Sequence, residues 1–368
     1  MKATRGYKYR IYPNTTQKCL IDRTLGSCRF VFNHFLAVRR DQWQKNHASI
    51  TYKQTSQLLT DLKRREEYAW LKEPDSMALQ ESLRNLDAAF EKFFQKKARY
   101  PRFKSKHNHR QSYRTRNQNG GIRFVDGKLK LPKVGNVRIA MSRDFDGKIC
   151  HATISRTASG KYYVSLCVEE DTVFAPCGNG QIGLDVGLKE FYTDSNGNTV
   201  ANPRTLRQYQ RKLAREQRRL SRKLPRSQNR LKQRIRVARV HEHIANIRKD
   251  FLQKLTTRLI NENQVIAVEH LQVKNMLRNH KLAKAISDVS WSEFFRLLEY
   301  KAAWRGAKVL KVDTFYPSSQ TCHQCGYQNP MVKNLAIREW DCPKCGAHHD
   351  RDFNAAKNIL TQALHPVA

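Results

Sequence analysis

Two CxxC pairs near the end of the chain have the spacing of a metal site. Cys322 and Cys325 lie in TCHQCGYQNP, Cys342 and Cys345 in DCPKCGAHHDRDFNAAKNIL, with sixteen residues between the pairs. Four thiolates so spaced can close a tetrahedron around one zinc ion. Gly326 and Gly346 follow the pairs, and glycine lets the backbone fold tightly enough for its amides to face metal-bound sulfurs. Four ligands leave no open position for a substrate water, so such a site is structural and the chemistry is expected beside it. Three acids stand out: Asp185 inside the apolar stretch QIGLDVGL, Glu269 closing QVIAVE, and Asp352 in HDRDFNAA. A carboxylate in a buried strand is costly unless it is paired or binds a metal, although Asp185 could also be a strand-end acid capping a turn. The three lie 84 and 83 residues apart, so only a fold can gather them. Gathered, they repel and hold raised pKa values until a cation joins them. Two Mg²⁺ ions, bound through oxygen ligands, relieve that repulsion. They also activate a water and stabilise the leaving oxygen in phosphodiester hydrolysis.

The whole chain must serve a polyanion. It carries 69 Lys and Arg against 32 Asp and Glu, a net charge of +37 over 368 residues. A chain this basic repels itself when alone. The charge runs along the entire sequence, which favours an extended nucleic-acid channel over a membrane-binding arm. There is no apolar run of about 18 residues to span a membrane, and MKATRGYKYRIYPN lacks the apolar core of a signal peptide. The remaining cysteines, Cys19, Cys28, Cys150, Cys167 and Cys177, are scattered and odd in number. They read as ordinary buried thiols in a reducing cytosol, and a cytoplasmic location is expected.

The elements that position these groups follow from pattern. Residues 3–12 alternate and are rich in β-formers, so a strand is predicted. Thr15 or Thr16 is the expected cap of the following helix. Residues 17–98 read as helical, broken near 46–51 and at Pro74. Met77, Leu79, Leu83, Leu86, Phe90, Phe93 and Phe94 form a core-facing stripe. Tyr52/Ser56 and Ser76/Gln80 each share a helix face, where such side chains suit base-edge contacts or plain solvent exposure. Residues 102–118 interleave Arg102, Lys104, Lys106, Arg110, Arg114 and Arg116 with Phe103 and Tyr113, a mixture that pairs with phosphates and stacks on bases. From 122 to 170 the pattern turns to strands and hairpin turns, read as a small antiparallel barrel or sandwich, with a linker at 171–180.

The second half alternates between classes. Ile182–Leu188 and Gln264–Glu269 read as buried strands, and Lys308–Tyr316 as a third. Between the first two, residues 204–239 hold fifteen Lys and Arg and one acid, Glu216. Leu206, Leu213 and Leu220 give one apolar seam, and Leu231, Ile235, Ile244, Ile247, Phe251 and Leu255 a second stripe. A helical hairpin with a basic outer face is predicted, including Arg211, Arg215, Arg218 and Arg222, whose natural counterion is a phosphate backbone. Residues 290–305 form an amphipathic helix with Ser290 as cap and Gly306 as stop. A last helix runs from Asp352 to about Leu364. The order strand–strand–helices–strand–helix–strand–helix fits an RNase H-like domain.

Taken together, GLDVGLKEF, VIAVEHL, SDVSWSEFFRLLEYKAAWRG, the paired CxxC motifs, HDRDFNAAKNI and the N-terminal YRIYPNTTQ and RFVFNHFL resemble the TnpB (OrfB) family of bacterial insertion sequences. The resemblance spans essentially the whole chain. It implies an RNA-guided DNA endonuclease related to the type V CRISPR effectors, cutting double-stranded DNA beside a short target-adjacent motif in a single RuvC site. It assigns the catalytic, magnesium-binding roles to Asp185, Glu269 and Asp352. Asp352 is preferred to Asp350 because the family's Asp-x-Asn-Ala/Gly-Ala pattern matches from 352. It implies a multidomain α+β architecture. A β-barrel wedge domain (1–13 and 99–178) would carry an inserted helical recognition lobe (14–98). A RuvC-like α/β domain (179–317 and 347–368) would carry an inserted zinc ribbon (318–346). Tyr52, Ser56, Ser76 and Gln80 become candidates for reading the adjacent motif. The expected partners are a guide RNA derived from the transposon end and target double-stranded DNA, with one RNA per monomer and no membrane. The alternative is a non-catalytic transposition accessory protein or repressor. Nuclease-dead relatives that act as repressors lose the acidic triad, which this chain keeps. Few residues follow Leu364, so a function carried by a longer tail in relatives is not expected.

Overall fold

The computed structural model describes residues 2–108, 111–171 and 175–365. The chain divides into two compact units, Met1–Val173 and Phe174–Ala368. Among the described residues no helix is long and apolar enough to cross a membrane.

In the first unit, β1 (Lys2–Tyr12) buries Tyr7, Tyr9 and Ile11 at alternate positions, the period of a half-buried strand. The helix α1 (Thr15–Asn46) starts at Asn14, whose side chain accepts from the Gln17 amide while the Gln17 side chain accepts from the Asn14 amide. Asn14 is therefore the cap, where Thr15 or Thr16 was expected: the reciprocal box needs Gln three residues on. α2 (Tyr52–Arg64) and α3 (Ser76–Phe94) follow, separated by a 3₁₀ turn at Glu66–Lys72 that adds a break to those foreseen. Leu79, Leu83 and Leu86 of the predicted stripe are buried, but Phe94 is exposed. Of the five scattered cysteines only Cys28 is buried, and Cys19 is exposed, so the expectation of five buried thiols holds for one of them.

The strands β2 (Gln111–Arg116), β3 (Arg123–Val125), β4 (Lys128–Leu131), β5 (Gly135–Ala140), β6 (Lys148–Arg156) and β7 (Tyr162–Asp171) join β1 in one antiparallel sheet. Its order is β2-β6-β7-β1-β5-β4-β3. The sheet is open, and the expected β-barrel is corrected accordingly. A barrel requires its two edge strands to share a hydrogen-bond register. Here β2 and β3 end the order without pairing among the described residues, and β3 is only three residues long.

The second unit opens with β8 (Gly180–Val186), β9 (Glu190–Asp194) and β10 (Thr199–Ala201). The helices α4 (Thr205–Ser221) and α5 (Gln228–Glu262) form the basic hairpin. Its seam is Leu206, Tyr209 and Leu213 against Val237, Val240 and Ile244. Leu231, assigned to the apolar stripe, is exposed instead. Next come β11 (Asn263–Glu269), the short helices α6 (Val273–Met276) and α7 (Ala283–Val289), α8 (Trp291–Arg305) and β12 (Lys308–Val312). Ser290 makes no side-chain cap for α8. It sits in the left-handed region and its hydroxyl donates to the Ser287 carbonyl, while Gly306 ends the helix as expected. The small hairpin β13 (Glu339–Asp341) and β14 (His348–Asp350) leads into α9 (Arg351–Leu364).

The five-stranded sheet has the order β10-β9-β8-β11-β12, with β8, β11 and β12 mutually parallel. Alternation divides its two faces. Ile182, Leu184, Val186, Ile266 and Val268 pack with Leu252, Leu255 and Leu259 of α5 and Phe294, Leu297 and Leu298 of α8. Ala267 and Val312 pack with Ile359 of α9 on the other face. Side chains alternate along a strand, so Gly183 and Asp185 share the α9 face, as do Ala267 and Glu269. At Gly183 the helix lies so close that an added Cβ would stand 2.2 Å from the Ala356 carbonyl oxygen. Only glycine fits beneath α9 there. Gly183→Ala should therefore destabilise the protein by about 1–3 kcal/mol, the usual cost of overpacking. Denaturant unfolding measures it, and an unchanged midpoint would contradict this packing.

Candidate functional site

Asp185 lies next to the C-terminal end of β8 and Glu269 ends β11. Gly183 pairs with Ala267 and Leu184 with Val268 across these parallel strands. Continuing that register by one residue sets Asp185 beside Glu269, in neighbouring strands about 4.8 Å apart. Asp352 comes from the first turn of α9, above the same face. Asp185 keeps partial solvent access, but protein crowds its carboxyl, and its pKa is raised well above the ordinary value. Burial is the leading cause, followed by the charges of Glu269 and Asp352; Arg351 and Arg338 oppose the shift. The Glu269 pKa is raised as well, by burial first, while a hydrogen bond from the Ser318 hydroxyl at 2.8 Å to its Oε1 holds it down. The fold thus brings Asp185 within electrostatic reach of both Glu269 and Asp352. Crowded carboxylate oxygens are hard donors, the ligand type that divalent cations such as Mg²⁺ take.

Several groups that hold these carboxylates escape a reading of the sequence. Asp350, the other acid of the HDRD string, caps α9 by accepting from the Phe353 amide. Arg338 donates to both oxygens of Asp352, at 3.2 and 3.4 Å. Arg351 is buried and donates to the carbonyls of Asn334 and Ile337. Asn354 and Asn358, one turn apart and buried, donate to Thr321 and to Ser318 and Thr321 respectively. Asn354 and Asn358 share one helix face, a signal the sequence did contain. The partner of Arg338 lies fourteen residues away across the ribbon, which no local pattern reveals.

The four cysteines form a cluster whose sulfurs all lie within 4.8 Å of one another. Cys322–Cys345 and Cys325–Cys342 are 3.7 and 3.5 Å apart. A zinc ion with four bonds of about 2.3 Å has tetrahedral edges of about 3.8 Å, so the cluster fits zinc. The two CxxC turns are built alike. Gly326 and Gly346 both take positive φ, 74° and 70°, and donate to the Cys322 and Cys342 carbonyls. The ribbon is bound to α9 at this point. The His323 amide, next to Cys322, donates to Asn354 Oδ1 at 3.0 Å. Buried His349, in β14, places Nε2 3.0 Å from the Cys322 sulfur.

The candidate nucleic-acid residues are spread over both units. Arg211, Arg215, Arg218 and Arg222 are exposed along α4 and its end. Arg102 is exposed; the Lys104 ammonium rests over the Phe32 ring at 3.9 Å; Arg114 is 4.0 Å from buried Glu81. Ser76 is exposed, while Ser56 and Gln80 are half-buried. The Tyr52 ring packs on the first core under the Arg84 guanidinium at 4.6 Å. Arg110 lies outside the described residues.

A Streptomyces pristinaespiralis protein named as a candidate RNA-guided DNA endonuclease is 40% identical over 363 residues, covering 98% of this chain and 89% of its own length. The chain belongs to the TnpB (OrfB) family. InsQ of Escherichia coli K12, named likewise, is 34% identical over 385 residues, covering 98% of this chain and 92% of its own. The family profile described as "Probable transposase" matches residues 165–280, and one described as "Cas12f1-like, TNB domain" matches 291–359. A profile described as "Helix-turn-helix domain" matches 1–48, where the structure has a strand and a single 32-residue helix. A solved complex of Cas12f1 with guide RNA and target DNA shares the mixed α+β fold at a TM-score of 0.59. It is 13% identical and covers 97% of this chain and 98% of the solved one.

Two measurements test the site. Purified protein should carry about one zinc per chain by elemental analysis, and Cys342→Ser should lose it. Hydrogen exchange in α9 should then speed up around Asn354, because its anchors sit on the ribbon; slow exchange there after zinc loss would refute the link. Separately, a group whose folded pKa is raised costs stability once pH exceeds its unfolded value. In metal-free protein at neutral pH, Asp185→Asn should raise stability by roughly 0.5–2 kcal/mol. The gain should vanish as pH falls below the ordinary carboxylate range, and thermal unfolding across pH tests both parts.

Proposed function

We propose that the chain is an RNA-guided DNA endonuclease of a transposable element, cutting double-stranded DNA by metal-dependent phosphodiester hydrolysis. The observation that carries this is the gathering of Asp185, Glu269 and Asp352 at one end of a sheet in a chain so similar to relatives of that name. The strand order and the helices on both faces support an RNase H-like, RuvC-type reading of the second unit. In that reading the three carboxylates hold two Mg²⁺ ions. Bound there, the ions would supply charge neutralisation, activation of the attacking water and stabilisation of the leaving oxygen. The chain's own residues do the positioning. Ser318 orients Glu269, Arg338 orients Asp352, and Arg351 fixes the turn into α9. Crowding by protein around the Asp185 carboxyl strengthens the charge interactions it makes.

The remaining assignments follow the same reading. The guide is an RNA from the transposon end, and pairing between guide and target carries most of the sequence specificity. The exposed arginines of α4, with Arg102, Arg110 and Arg114, would hold RNA or heteroduplex phosphates. Ser56, Ser76 and Gln80 are proposed to read the adjacent motif; Tyr52, packed under Arg84, would serve as support. Residues 1–13 with 99–178 would form the wedge, 14–98 the recognition lobe, and 318–346 a structural zinc ribbon within the nuclease domain of 179–317 and 347–368. One chain would work with one RNA. A repressor or accessory role would not require the charge crowding at Asp185 to be kept.

The test is cleavage of guide-matched DNA by protein purified with its native flanking RNA. Asp185→Ala, Glu269→Ala and Asp352→Ala should each lower cutting by about three orders of magnitude or more, as for groups acting as a unit. Omission of Mg²⁺ should do the same, with RNA binding unchanged. Full cleavage by any of the three variants would remove that residue from the site.

A further inference from the structure

Phe315 is, at 86%, the most exposed large apolar side chain among the described residues. It is also the only exposed Phe, Tyr or Trp among the described residues of the second unit. Its loop is not loose. Asp313 accepts from the Phe315 amide at 2.8 Å and, through its carbonyl, from the Tyr316 amide. Thr314 donates to the carbonyl of His270, the residue after Glu269. Ser318 donates to the Glu269 carboxylate itself. Tyr316 packs inward with Ile359 and Val312. The loop is thus pinned before and after Phe315, onto the strand that ends in Glu269, while the ring stands in solvent. Isolated exposed apolar residues are ordinary on protein surfaces. An aromatic ring held by a braced turn beside a carboxylate cluster is a different case. A cavity of about 410 Å³ adjoins Glu269 at the end of β11, with Lys274, Asn275 and Phe295 in its wall.

We propose that Phe315 is a stacking platform for an unpaired base of the DNA strand being cut, so that this strand is seated beside Asp185, Glu269 and Asp352. Lys274, in the wall of that cavity, would meet a flanking phosphate. The proposal rests on the endonuclease reading for its substrate. Stacking on a phenyl ring is tolerant of sequence because every base has a π-face. That suits a site whose target is chosen elsewhere by base pairing.

The test uses the full chain purified with its RNA and a short single-stranded DNA carrying 2-aminopurine. In Mg²⁺-free buffer the wild type should quench the probe's emission, Phe315→Ala should not, and Phe315→Trp should. In Mg²⁺, Phe315→Ala should raise the KM for cleavage about tenfold, within the range measured for loss of one stacked base, with kcat less affected and Phe315→Trp near wild type. The exposed ring makes both variants compatible with folding, which an unchanged melting temperature verifies. Quenching that is absent in the wild type, or equal in Phe315→Ala, overturns the platform, and so does an unchanged KM. Phe315-dependent quenching without any triad-dependent cleavage would uphold the platform and overturn the endonuclease reading instead.

Discussion

The structure depends on holding three like charges where they are least comfortable. Asp185 and Glu269 are forced together because β8 and β11 are parallel neighbours in register. Asp352 joins them because α9 lies directly on β8, and it can do so because residue 183 has no side chain. At Asp185 burial and the charges of Glu269 and Asp352 oppose ionisation, and Arg351 and Arg338 only partly offset them. Nothing about folding requires this arrangement. A fold that tolerates it has stabilised it elsewhere, through two apolar layers that sandwich the sheet and through polar clamps around α9.

The clamps show why the ribbon belongs to the site. α9 begins as the ribbon ends, with β14 and the helix sharing no loop between Asp350 and Arg351. Asn354 and Asn358 bind the backbone just before the first cysteine and, for Asn354, the amide just after it. His349 bridges from β14 to Cys322, and Arg338 reaches from the ribbon to Asp352. Metal binding in a small ribbon with little apolar core is folding free energy. Zinc held by the four cysteines would by the same linkage fix the first turn of the helix that carries a carboxylate. The neighbouring loop, through Ser318, fixes a second carboxylate from the same side of the chain.

Much of this second unit was legible because its signals are local. The apolar alternation around Asp185 and Glu269, the glycine-terminated CxxC turns and the acid entering a helix are short patterns with a physical meaning each. What was hidden is non-local or decided by competition. Whether seven strands close into a barrel depends on the register of edge strands distant in sequence, and β2 and β3 do not meet. The choice of Asn14 over Thr15 turned on a reciprocal bond with Gln17. The Arg84 guanidinium over the Tyr52 ring comes from another helix, a neighbour that no local pattern around Tyr52 reveals. Leu231 continued an apolar rhythm, but the hairpin seam formed further along α5 and left it in solvent.

The basic hairpin links charge to this site by simple connectivity. Within α4 the single acid, buried Glu216, is bonded by Gln233 and ion-paired with Arg215 and Arg219, one carboxylate against five arginines in that helix. Their mutual repulsion works against the hairpin, and a polyanion would relieve it. α5 is one 35-residue helix, with its first half in the hairpin seam and its second half in the sheet core. It ends at Glu262, and β11 begins at Asn263 without an intervening loop. Asp288 adds a second tie, accepting from the Leu206 amide at the start of α4 and from Arg248 in α5. Because α5 runs from the basic hairpin into the core beneath the Glu269 strand, order in the hairpin and order at the carboxylates are coupled through one helix. Any ligand that binds the ordered hairpin more tightly than the frayed one must, by linkage, stabilise what α5 supports.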